Sequence, residues 1–152
     1  MSHEIHELTA AVSTLVQGLG RSLLPSPELL DPREAPATAS DRHFCVTMPP
    51  AQNTGKYRDH AGHVARASST LLIRVAYLFG QKVAEQELTR TLSSRDAEAI
   101  VRGMMTTIAY PLCETRIAWA GPILQQLNAQ REWLFTDVNF NVEWDTSIGV
   151  GP

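Results

Sequence analysis

Residues 132–145 read EWLFTDVNFNVEWD, and this run constrains the fold more than any other in the chain. Leu134, Thr136, Val138, Phe140, Val142 and Trp144 alternate with Asp137, Asn139, Asn141 and Glu143. A period of two places the first set on a buried face and the second on a wet one, which predicts a long strand against a core. Seven residues follow it, so the expected fold closes on this strand.

The segments before it predict a mixed unit. Ile5, Leu8, Val12, Leu15, Val16 and Leu19 form a helical stripe over 3–19, with Ser2 placed to cap it and Gly20 to close it. RSLLPSPELLDPREAPATAS carries prolines at 25, 27, 32 and 36, which remove donors and restrict the preceding residues, so an irregular connector is expected. Its leucines at 23, 24, 29 and 30 imply packing onto the body. RHFCVTM (42–48) predicts a strand stopped by Pro49 and Pro50. In STLLIRVAYLF (69–79), Leu71, Ile73, Val75 and Tyr77 face one way and Leu72, Arg74, Ala76 and Leu78 the other. Two largely apolar faces predict a central strand.

Beyond Gly80, Val83, Leu88 and Leu92 suggest a helix over 82–92, and Ser93 with Asp96 suggests the cap of a second one. Ala97, Ile100, Val101, Met104 and Met105 would form the stripe of that second helix. LCETRIAWAG (112–121) predicts a further strand, and a connector runs from Pro122 through ILQQLNAQR. The expectation is a single α+β domain over 1–152. A mostly antiparallel sheet of about four strands would pack on helices at 3–19 and 83–106. Residues 1–40 supply the first helix and connector, and 41–145 the sheet-and-helix core. The predicted core is Val46, Leu71, Ile73, Val75, Ile100, Met104, Ile117, Val138, Phe140 and Val142.

Between the first two strands lies AQNTGKYRDHAGHVARA (51–67), with two glycines and little apolar content. A strand-to-strand connection longer than about 12–15 residues without regular structure is usually functional or disordered. Lys56, Arg58, His60, His63 and Arg66 make it the most basic stretch, and Tyr57 adds an aromatic that solvation does not require. The plain reading is a solvated loop. The functional reading is an arm over 50–66 that touches a partner surface or a polyanion.

Other chemistry finds less support. Net charge is −3 and pI about 5.9, so no global basic field argues for nucleic-acid wrapping. His60 and His63 with Asp59 could hold a metal only with further convergent ligands, and His43 and Cys45 would have to fold onto the loop. No metal or other cofactor is expected. Cys45 and Cys113 lie in expected strands and read as buried thiols. Glu85, Glu87, Asp96 and Glu98 read as carboxylates on a solvated helix face. No nucleophile elbow or phosphate-cradling glycine loop is present, so an enzyme is not expected. No window reaches the roughly 20 apolar residues of a membrane helix, and the chain is expected to be soluble and intracellular.

The order of segments resembles one known group. TLLIRVAYLF leads through a polar turn into EQELTRTLSSRDAEAIVRGM, a short strand follows, and EWLFTDVNFNVEW closes the series. Before it stands HFCVTMPP…GKYRDHAGHVARAS, a strand, a loop and a re-entry. This pattern, over about 41–145, resembles the tail terminator (tail completion) proteins of long-tailed bacteriophages. The resemblance implies a non-enzymatic α+β subunit forming a ring, commonly of six, that caps the head-proximal end of the tail tube. Its partners would be other copies of itself, the tail tube protein and the head connector, with DNA passing through the channel. Its place would be the virion neck, after assembly in the host cytoplasm. Lys56, Tyr57, Arg58, His60, His63 and Arg66 would be the contact residues. A ring fits a body with two different lateral surfaces, because head-to-tail contacts are heterologous. The alternatives are another neck protein, such as a head-completion or adaptor subunit, or a small hydrolase or nucleotide-binding enzyme.

Overall fold

The computed structural model describes residues 7–49, 52–57, 64–106 and 116–147, with side chains left out at 52–57, 64–66 and 145–147. Its elements run α1 (Glu7–Gln17), β1 (Leu24–Pro25), β2 (His43–Thr47), β3 (Gln52–Tyr57), β4 (Val64–Leu78), α2 (Val83–Thr106), β5 (Arg116–Trp119), β6 (Leu124–Leu127) and β7 (Trp133–Ser147). The fold is α+β.

The central feature is an antiparallel ladder. β4 and β7 are 15 residues each and pair along their whole length, from Val64↔Ser147 to Leu78↔Trp133. At the ~3.3 Å rise of a strand residue this ladder is about 50 Å long, far longer than an ordinary strand. A single short strand cannot satisfy either of its outer edges. Each edge is therefore filled by two strands in series. β2 pairs with β4 over 72–76 and β3 over 65–68. On the other side β6 pairs with β7 over 134–137 and β5 over 140–143. β1 adds a two-residue parallel pairing outside β2.

This arrangement corrects the expected strand count. The described residues form seven strands where about four were expected: six in the four columns that the ladder and its two edges define, and β1 outside β2. Three strands were missed: β1, only two residues long, and β3 and β6, which share a physical reason. QNTGKY has no apolar alternation, and LQQL is too short to show one; both are strands because the long ladder offers unpaired N–H and C=O groups opposite them. The expected 51–67 loop is thus partly a hairpin, and the expected connector after Pro122 contains β6. β5 and β6 are nearly one strand. Ala120 N donates to Asn139 O at 2.9 Å, and only Gly121–Ile123, with a cis Gly121–Pro122 bond, bulges between them.

The predicted inner face of the closing strand holds, while the outer face is wet only from Asn139 onward. Leu134, Thr136, Val138, Phe140, Val142 and Trp144 are all buried, together with Leu71, Ile73, Val75 and Tyr77 of β4. Leu8, Val12 and Val16 of α1 and Ala97, Ile100 and Met104 of α2 cover this face. Val46 and Ile117 are only partly buried, since both lie on outer strands. Helix α1 stops at Gln17, and Gly20 takes a left-handed φ of 73° just beyond it, as expected for a closing glycine. A Cβ on Gly103 would lie 2.6 Å from Leu19 Cδ2, so this bare position lets α2 approach the end of α1.

Helix α2 runs unbroken for 24 residues, which corrects the expected division at Ser93. Ser93 is buried inside the helix, where its Oγ donates to Arg90 O at 2.9 Å and accepts from Gln125 Nε2 at 2.6 Å. The hydroxyl serves a tertiary contact to β6 and caps nothing. Burial in α2 begins only at Ser93, so Val83 and Leu88 lie exposed. Met105, expected on the buried stripe, is also exposed.

The second face of the sheet is covered over half its length. Leu30 and Ala39 of the connector pack on Ala76, Trp133 and Phe135, with Cys45 alongside. Asp137, expected on the wet face, is buried for this reason.

Candidate functional site

The basic arm falls in two parts. The backbones of Lys56 and Tyr57 lie in β3 and that of Arg66 in β4, at the end of the central ladder. Tyr57 is the register partner of Ala65, and Arg66 of Asp145. The structure thus brings Lys56, Tyr57 and Arg66 to one end of the sheet, on a strand pair instead of an irregular loop. Arg58, His60 and His63 lie outside the described residues, as does Cys113. His43, weighed as a distant metal ligand, uses its Nδ1 to accept from Ser40 N at 2.9 Å.

A charged centre that the sequence did not reveal sits between α2 and the connector. Asp96 is fully buried, so its assignment to a solvated helix face is overturned. Its Oδ1 accepts from Arg21 Nε at 2.8 Å and from Arg42 Nη2 at 3.0 Å. Its Oδ2 accepts from Tyr77 OH at 2.8 Å and from Arg42 Nη2 at 3.1 Å. Arg42 Nη2 also donates to the carbonyl of Arg21. A carboxylate with a tyrosine and two guanidinium donors has its lone pairs engaged, which is what a buried charge requires. Burial holds the Tyr77 phenol well above its ordinary range, and the adjacent Asp96 charge adds to this. Arg42 adopts a left-handed φ of 64°, a strained region for a residue with a Cβ. Its own N–H donates to Ala76 O at 2.7 Å, and Leu78 N donates to Asp41 Oδ1 at 2.9 Å. Chain direction at Arg42 is therefore fixed from both sides. This centre positions chain segments.

A second ion pair crosses the other face. Arg74 and Asp137 are register partners on β4 and β7. Their side chains meet in a two-pronged pair, Nε to Oδ1 at 2.7 Å and Nη2 to Oδ2 at 2.8 Å, and Arg74 Nη1 donates to Leu30 O at 3.0 Å. The hydrogen bond to Asp137 raises the Arg74 pKa further, so the guanidinium is permanently charged. Cys45 is the register partner of Arg74 on the opposite side. Its thiol is free and half-buried, and burial pushes its pKa up, which favours the protonated form.

The lateral edges of the sheet differ in character. One carries β2 and β3, with Lys56 and Tyr57 in its sequence. The other carries β5 and β6, which expose Trp119 and Leu124 and include no acidic residue. Among the described residues, no group of three or more His, Cys, Asp and Glu side chains is placed to hold a metal. No described helix is long and apolar enough to cross a membrane.

No protein-family model matches the chain, and no curated protein is similar enough to it to count as a relative.

In the sequence Asp96 reads as one carboxylate among four on α2 and as a capping partner of Ser93. The signal that separates it is helical spacing, since Asp96 shares the face of Ser93, Ala97, Ile100 and Met104.

Proposed function

We propose that this chain is a structural subunit of a long-tailed phage virion, the terminator ring that caps the head-proximal end of the tail tube and joins it to the head connector. The observation that carries the reading is the pair of unlike lateral edges on one long β4–β7 ladder. Head-to-tail rings require a surface on one side of a subunit to meet a different surface on the other. A β2/β3 edge with a basic tip and a β5/β6 edge with exposed Trp119 and Leu124 meet that requirement. The segment order supports the same reading: the hydrophobic strand is the centre of the sheet, the closing strand is its full-length partner, and α2 lies between the central β4 and the edge strand β5 in the chain. In this reading the β3–β4 hairpin is the arm, and Lys56, Tyr57 and Arg66, with Arg58, His60 and His63 between them, contact the neighbouring subunit, the tube or the passing DNA.

The test is functional. Tail tubes assembled without this protein should grow past their normal length and fail to join heads, and adding the purified protein should restore both. Tubes of normal length that join heads in its absence would refute the proposal.

A further inference from the structure

We propose that residues 27–40 form a flap that lifts from the sheet as one body while the rest of the fold stays closed, widening access to the half-buried Cys45 and uncovering the apolar patch of Ala76, Trp133 and Phe135. Three observations carry this.

The first is that the two limbs of the flap are hydrogen-bonded to each other. Glu28 carboxylate oxygens accept from Ala37 N at 2.8 Å, from Thr38 N at 2.6 Å and from Thr38 Oγ1, so one side chain braces the two limbs. Asp31 accepts from the backbone and guanidinium of Arg33, and Glu34 N donates to Asp31 O. A segment whose hydrogen bonds are internal keeps them when it moves.

The second is its narrow footing. Only Leu30 and Ala39 are buried within it, and its polar ties to the sheet are few: Arg74 Nη1 to Leu30 O, the Leu30 backbone to the Cys45 thiol, and Ser40 to His43 at its base. Leu29 points outward, 71% exposed. Leu29 and Cys45 line two open depressions of about 390 Å³ and 440 Å³, the larger of which Leu30 also lines.

The third is that the neck is locked independently. Ser26 N donates to Phe44 O at 2.7 Å and Leu24 N to Arg42 O at 3.3 Å, while Asp96 binds both Arg21 and Arg42. Lifting the flap breaks none of these. Arg74 keeps its bidentate partner Asp137 throughout, so no unpaired charge is left behind.

The experiment follows thiol alkylation of Cys45 by peptide-resolved mass spectrometry, alongside amide hydrogen exchange of β4 and β7, on the full-length protein. In the wild type, Cys45 should react at least tenfold more slowly than a free thiol but at least 100-fold faster than global opening reported by β4 and β7 permits. Leu30→Ala should raise the rate at least tenfold, and Ala39→Ser, on the other limb, at least threefold, with β4 and β7 exchange unchanged. Labelling that only keeps pace with exchange of β4 and β7 would overturn the proposal. So would labelling at the free-thiol rate in the wild type, or a response to Leu30→Ala but not to Ala39→Ser.

Discussion

Arg42 donates a guanidinium hydrogen bond to the carbonyl of Arg21, and both arginines bind the single carboxylate of Asp96. These two residues stand at the two ends of the proline-containing connector, so one buried aspartate on α2 fixes where that connector leaves the helical layer and where it enters the sheet. Tyr77 ties the same carboxylate to the central strand.

Asp96→Asn should therefore be among the most damaging changes to a polar residue in the chain. Removing one partner of a buried ion pair typically costs 3–5 kcal/mol because the other charge is left uncompensated. Arg21 is a third exposed, which lowers the expectation to about 3 kcal/mol. Urea unfolding should show this loss in the midpoint, and Glu98→Gln, on the exposed side of the same helix, should show almost none.

Tyr77→Phe removes the phenol donor and should cost about 1 kcal/mol at neutral pH. Its larger effect is on alkaline stability. The folded-state pKa of Tyr77 lies above the unfolded value of 10.0, so the folded protein keeps a proton that the unfolded chain loses. Stability from this group is present below pH 10 and falls above it, by up to about 1.4 kcal/mol per pH unit. The phenylalanine variant should lack that steepening in denaturant titrations between pH 10 and 11.5.

Glu28 has the opposite sign. Its hydrogen bonds from Thr38 and Ala37 hold its carboxyl below the usual value of 4.5. The contribution it makes is present above that value and is lost as pH falls through the folded pKa. Backbone amide signals of Ala37 and Thr38 should shift on acidification below pH 4.5, and Glu28→Gln should abolish the transition without altering the core.

Much of the fold was legible because the chain announces its buried faces by period. Phe140 and Val142 had to be inside if the closing strand was a strand at all, and both are. Phe140→Ala should cost about 4 kcal/mol in the same unfolding assay. What could not be read depended on long-range pairing. Gln52–Tyr57 is a strand because the β4 edge extends past β2, and nothing in QNTGKY states how long β4 is. Asp137 looked solvent-facing because the connector that buries it is irregular and leaves no periodic trace. The break expected at Ser93 came from a local capping pattern, which a hydroxyl used for a tertiary hydrogen bond also produces. Of the contact residues chosen from sequence, Lys56, Tyr57 and Arg66 lie together at one sheet end, and the remainder fall outside the described residues.

The arm's charge has its own test. Replacing Lys56, Arg58 and Arg66 together with Ser should lower head–tail joining several-fold. Single replacements should do little, because exposed ion pairs are worth about 0–1 kcal/mol each. Counts of joined particles by electron microscopy read the effect. Normal joining with the triple variant incorporated would show the charge to be incidental.

The ring itself is tested most directly by native mass spectrometry of the full-length protein, alone and mixed with purified tail tubes. The account predicts a closed oligomer of about six copies, formed in solution or recovered from capped tubes. A monomer under both conditions would contradict it.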